Sequence, residues 1–189
     1  MRSAQEQVSI FRFLFRLAAR AKDMSSEEFL KRLVVGIANR YEAASCSIYR
    51  YGRMRTTAWA PVGPELSALA QADRAYLHNL DGRLVQEAMS NNGLVSGLDL
   101  DVDGDLHDFM DQHLPDMDIF AFPLMVREGP RGAIVIYLSK DAKSLTDADI
   151  QALMGIGEVL QVAEEDLLQK QRPASLRGTH GSNGQARGA

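Results

Sequence analysis

The run from Asp118 to Leu160, DIFAFPLMVREGPRGAIVIYLSKDAKSLTDADIQALMGIGEVL, leaves little freedom in how it folds. Ile119–Val126 and Ala133–Leu138 are apolar and rich in β-formers, and Arg-Glu-Gly-Pro-Arg-Gly separates them as a hairpin loop. Leu145-Thr146-Asp147-Ala148-Asp149-Ile150 then starts a helix. Thr146 is its N-cap, Asp149 takes the third helical position, and Leu145 is placed to staple onto Ile150. This helix is expected from Asp147 to about Gln171. The segment carries no evident catalytic group.

Upstream, Gln5–Lys22 reads as a helix. Ile10, Phe13, Leu14, Leu17 and Ala21 share one stripe, and Arg12, Arg16 and Arg20 form a basic edge. Phe11 and Phe15 widen the apolar surface, so this helix needs a partner. Ser25 and Glu28 form a capping box for a second helix, with Met24 and Phe29 as its staple and Tyr41 near its end. Ser45–Tyr51 and Met54–Ala60 read as strands joined at Gly52-Arg53. Glu65–Leu80 reads as helix and loop. Asp81 is expected to cap a helix from Gly82 to about Asn91, which Asn92-Gly93 ends with a left-handed turn. Leu94–Leu98 reads as a short strand. Leu106, Phe109, Met110 and Leu114 then mark a short amphipathic helix closed by Pro115.

The chain of 189 residues, 46% hydrophobic, is long enough for one domain with a core of its own. The divisions are an N-terminal amphipathic helix over 1–24, a domain over 25–170, and a tail over 171–189. The tail is almost free of apolar residues and is expected to be disordered. A net charge of -4 argues against a nucleic-acid partner. The single cysteine, Cys46, excludes an intramolecular disulfide and a Cys-rich zinc site. No apolar run approaches the ~18 residues of a spanning helix. Arginines interrupt Ile10–Ala21 too often for a signal peptide, so a cytoplasmic protein is expected.

Four phrases, in order, resemble a GAF domain. They are FLKRLVVGIANRYEAASCSIYRY, DGRLVQEAMSNNGLVSG, IFAFPLMVREGPRGAIVIYL and LTDADIQALMGIGEVL, spanning about Ser25 to Leu168. The resemblance implies an α+β fold. A central antiparallel sheet carries helices on one face, and a pocket lies under loops and a short helix on the other. It also implies terminal helices that often pair between subunits. The function implied is a sensory or regulatory module, not an enzyme. Such a module binds a small molecule and signals through its terminal helices, as a homodimer or through a partner protein. The alternative is a ligand-free dimerisation or docking module.

Trp59, His107, Phe109, Met110, Leu114, Phe120 and Phe122 are the candidate pocket lining, placed by the resemblance; plain core packing is the competing reading. Phe120 and Phe122 share one strand face. Asp99, Asp101, Asp103 and Asp105 match the first half of a calcium loop. His107 and Met110 fall where later ligands belong, so a solvated acidic loop is favoured over a cation site. The cyclic-nucleotide branch of the family carries Asn-Lys and Phe-x3-Asp-Glu. Phe109-Met110-Asp111 has the wrong spacing for that pattern, and the chain contains no Asn-Lys pair. Cys46 lies early, not late beside a His as in bilin carriers. No haem, bilin or disulfide chemistry is expected.

Overall fold

In the computed structural model residues 4–21, 23–50, 53–59, 64–141 and 144–162 are described. The tail expected from residue 171 lies outside them. The elements run α1 (Ala4–Ala21), α2 (Ser26–Tyr41), β1 (Ser45–Arg50), β2 (Arg53–Trp59), α3 (Pro64–Ala72) and α4 (Arg74–Asn91). They continue with β3 (Val95–Ser96), a 3-10 turn (Gly97–Asp99), α5 (Gly104–His113), β4 (Met117–Val126), β5 (Gly129–Ser139) and α6 (Asp147–Met154). The strands form one antiparallel sheet in the order β2-β1-β5-β4-β3.

The last strand in sequence is therefore the middle strand in space. Residues Ala133–Leu138 are all buried, as a strand covered on both faces requires. Their alternation divides the interior in two. Ile134, Ile136 and Leu138 join Cys46, Ile48, Phe122 and Leu124 in a core under α1, α2 and α6. Val135 and Tyr137 join Ile119 and Ala121 in a second core under α4 and α5.

The expected antiparallel α+β architecture is present, and the second face is closed by more helix than expected. The Gly82–Asn91 helix begins at Arg74, eight residues early, and Asp81 is not its cap but a buried residue within it. The apolar stripe Leu77, Leu80, Leu84 and Ala88 runs straight through that position and holds the helix to the sheet. The expected strand at Leu94–Leu98 shrinks to Val95–Ser96, because Ser96 caps the following 3-10 turn by accepting from the Leu98 amide.

The hairpin loop is tighter than its composition suggested. Met125 pairs with Pro130 and Val126 with Gly129, so Arg127 and Glu128 alone make the turn, and the register shifts between Pro123 and Met125. Ser25 caps α2 by accepting from the Glu28 amide at 3.1 Å. Glu28 does not complete the box; its carboxylate takes the Arg32 guanidinium one turn on, at 2.7 Å. At Thr146 both halves of the box form, and Leu145 and Ile150 both pack on the first core.

The final helix is interrupted. α6 ends at Met154, Gly155 breaks it, and residues 156–162 are helical again. Gly157 explains why the chain needs small residues here. A Cβ at that position would lie 2.3 Å from the Met125 carbonyl oxygen, so the helix rests directly on the β4 backbone. Gly36 plays the same role between α1 and α2, where the ring of Phe13 occupies the space a Cβ would take, 2.0 Å away.

Candidate functional site

The compartment between the sheet and the α4–α5 layer holds the most unusual chemistry among the described residues. The side chains packed there are apolar: Leu77, Leu80 and Leu84 from α4, Leu106 and Phe109 from α5, Ile119, Ala121 and Val135 from the sheet. Into this surface α4 projects Asp81, with no solvent exposure. Tyr137 of β5 donates its hydroxyl to one carboxylate oxygen at 2.6 Å. Tyr49 of β1 donates to the other in a short hydrogen bond.

β1 and β5 bring the phenols together because Tyr49 pairs with Ala133 and Ser45 with Tyr137, so Ser45, Ser47, Tyr49, Val135 and Tyr137 share the α4 face. Ser45 and Ser47 are both buried. The Ser45 hydroxyl has no hydrogen-bond partner among the described residues. A carboxylate, two phenols and two serine hydroxyls thus lie on or against one face of a small sheet. Each such buried polar atom penalises any neighbour that fails to match its hydrogen bonds.

The candidate lining residues are divided by the sheet. Phe109 is buried and Leu114 closes the second core, with Met110 half-buried beside them. Phe109 stacks on Tyr76 at 5.0 Å between ring centroids and tilts against His113 at 5.1 Å. His107 faces solvent and meets Asp111 at 3.4 Å, so it lines nothing. Phe120 and Phe122 belong to the other face. Phe122 is fully buried in the first core with Phe120 packed beside it, their ring centroids 6.4 Å apart. The two Phe side chains and the α5 residues therefore cannot line one cavity. Trp59 pairs with Ser45 at the end of β2, and its side chain lies outside the described residues.

The aspartate run does not converge. Asp99 ends the 3-10 turn, while Asp103 caps α5 by accepting from the Leu106 amide at 3.1 Å and pairs with Arg83 at 2.5 Å. The Asp101 carbonyl also accepts from Arg83, at 3.4 Å. Asp105 lies in the first turn of α5. Among the described residues no three His, Cys, Asp or Glu are grouped to hold a metal ion. Cys46 sits fully buried in the first core, and burial pushes its thiol far above the ordinary range.

The reading of the sequence missed Asp81, Tyr49 and Tyr137. One signal was available: Asp81 falls on the same helical stripe as Leu77, Leu84 and Ala88, a place where an acid needs a reason.

Among the described residues no helix is long and apolar enough to cross a membrane. No family model matches the sequence, and no curated protein matches it. Solved structures do match the fold. The GAF domain of a candidate sensor histidine kinase from Pseudomonas syringae pv. tomato superposes with a TM-score of 0.53 at 19% identity, covering 89% of this chain and 95% of that one. A GAF domain/HD domain protein from Geobacter sulfurreducens gives 0.53 at 14% identity, over 82% of this chain and 98% of its own. The GAF domain of an Acinetobacter phosphoenolpyruvate-protein phosphotransferase gives 0.52 at 12% identity, over 86% and 97%. With the 2-1-5-4-3 sheet and its two helical layers, these superpositions identify the fold of this chain as that of a GAF domain.

Proposed function

We propose that this chain is a non-catalytic sensory or regulatory module of the cytoplasm that binds a small molecule between the sheet and the α4–α5 layer. The observation that carries the reading is the Asp81–Tyr49–Tyr137 cluster inside an otherwise apolar compartment. Burying a carboxylate costs several kcal/mol before its hydrogen bonds offset it. Packing alone would favour a leucine on that stripe. The unsatisfied Ser45 hydroxyl on the same face points the same way, because a ligand's polar atom would complete it.

The route outward runs through β5. A ligand that draws Tyr137 or Tyr49 away from Asp81 loosens α4 from the central strand. The neighbouring residues Ile136 and Leu138 belong to the core under α1, α2 and α6. The terminal helices would then report occupancy to a second copy or to a partner protein.

A thermal-shift screen of small metabolites, nucleotides and divalent ions tests this reading, because a ligand bound only by the native state raises the melting temperature. Ser45→Ala is the informative control. It removes a hydroxyl that has no partner among the described residues, so it should leave the unliganded protein as stable as before and reduce the ligand's shift. Full retention of the shift in Ser45→Ala and Tyr49→Phe would place binding elsewhere.

A second reading, a ligand-free dimerisation module, is favoured by one observation. Phe15 of α1 is 78% exposed, and Val35 of α2 and Val162 are exposed on the same helical layer. Sedimentation with and without residues 1–22 tests it; an unchanged mass would count against dimerisation through α1.

A further inference from the structure

A cleft of about 200 Å³ opens on the opposite face of the sheet from the Asp81 cluster. Its apolar floor is Phe120, Leu138, Leu145 and Ile150, on the α6 side of the sheet. Two opposite charges, Asp118 and Lys140, also line it. Asp118 pairs directly with Leu138 in the β4–β5 ladder, so the carboxylate stands on the strand that forms the floor. Lys140 follows the last residue of β5; its exposed side chain lines the cleft and donates to the Pro115 carbonyl.

From this arrangement we infer a second binding site, for a small zwitterion carrying an apolar side chain, that is, a free apolar amino acid. The volume lies below the roughly 300–1,000 Å³ of drug-sized pockets and suits a small ligand. The floor takes a hydrocarbon side chain. Lys140 has donors left for a carboxylate, since an ammonium carries three hydrogens and one is used on Pro115. Asp118 accepts from an ammonium group. A ligand with only one charge leaves the opposite group unmatched, and a hydrocarbon leaves both unmatched.

The cleft also has a place in the mechanics of the fold. Leu145 and Ile150 flank the Thr146 cap, where α6 begins. A side chain seated on Phe120 and Leu138 bears on both residues. It therefore ties the start of α6 to strands β4 and β5.

Titration of the full chain with L-leucine, followed by amide chemical shifts, tests the inference. Leucine should perturb Leu94, Leu145 and Ile150. Its two half-molecules, 4-methylpentanoate and 3-methylbutylamine, should each bind about tenfold or more weakly, as expected for the loss of one charge-assisted hydrogen bond. Lys140→Met should abolish the preference for leucine over the amine, and Asp118→Asn the preference over the acid. Equal binding of leucine and its halves, or unchanged affinity in Lys140→Met, overturns the inference, and so does the absence of any perturbation by leucine. Perturbation confined to Leu84, Leu106 and Val135 also overturns it while leaving the Asp81 site standing.

Discussion

Tyr137 at the centre of the sheet and Asp81 in the middle of α4 are joined by a hydrogen bond of 2.6 Å. Helix and strand are thus fastened by a polar contact inside a largely apolar core. Removing the phenol oxygen by Tyr137→Phe should destabilise the protein by about 1–3 kcal/mol, the usual cost of withdrawing a donor from a buried acceptor. Combining Tyr137→Phe with Asp81→Asn should cost less than the sum of the two single changes. Urea unfolding of the four proteins in this cycle checks the claim; strict additivity would show that the bond carries no energy.

Two glycines should respond differently to the same added methyl group. In Gly36→Ala the new Cβ meets the Phe13 ring, which can turn or shift with α1, so a loss of about 1–3 kcal/mol is expected. In Gly157→Ala it meets the β4 backbone, which cannot yield, so the loss should be larger. The pair Gly36→Ala with Phe13→Leu should regain part of the first loss. Thermal unfolding of the variants reads the order.

The start of α6 depends on Thr146 and Asp149 together. Thr146→Ala removes one cap and should cost about 1 kcal/mol. Asp149→Ala should cost more, about 2–3 kcal/mol. Its carboxylate accepts from the Thr146 amide at 3.0 Å, from the Thr146 hydroxyl at 2.6 Å and from the Tyr41 hydroxyl at 3.3 Å. Denaturant midpoints distinguish the two, and equal losses would show that the contact to α2 contributes nothing.

Cys46 predicts a loss of stability in alkali. Burial holds the thiol neutral in the native state, while in the unfolded chain it ionises near its ordinary value of 9.0. Above that pH the unfolded chain binds fewer protons than the native one, so stability falls as pH rises, by up to about 1.4 kcal/mol per pH unit. Below it both states keep the proton and this slope vanishes. Cys46→Ala should flatten the alkaline limb, and an unchanged slope would rule the thiol out as its source. The native thiol should also resist a disulfide reagent until denaturant is added.

What could be read in the chain was what neighbours in sequence decide. The Thr146 box, the Ser25 cap, the Asn92 turn and the β4–β5 hairpin depend on residues a few positions apart, and each is present. Asp81 shows the limit of that kind of reading. Beside Gly82 an aspartate resembles a cap; the apolar stripe places it inside a helix, and only partners 32 and 56 residues away explain why an acid is buried there. Phe120 and Phe122 show another limit. Alternation puts them on one face, but it does not say which face. That depended on how β4 pairs with β5 and where α5 and α6 settle.

The central position of β5 has a consequence for how the chain comes into being. Ala133–Leu138 is an uncharged, β-prone run with no outward-facing position, a composition that favours self-association whenever its edges are bare. Both strands that cover it, β1 and β4, precede it in the chain. β5 therefore emerges during synthesis with its two partners already made, and burying it between them closes the sheet. Arg131 before the run and Lys140 after it supply charges at its two ends, where they discourage pairing with another chain.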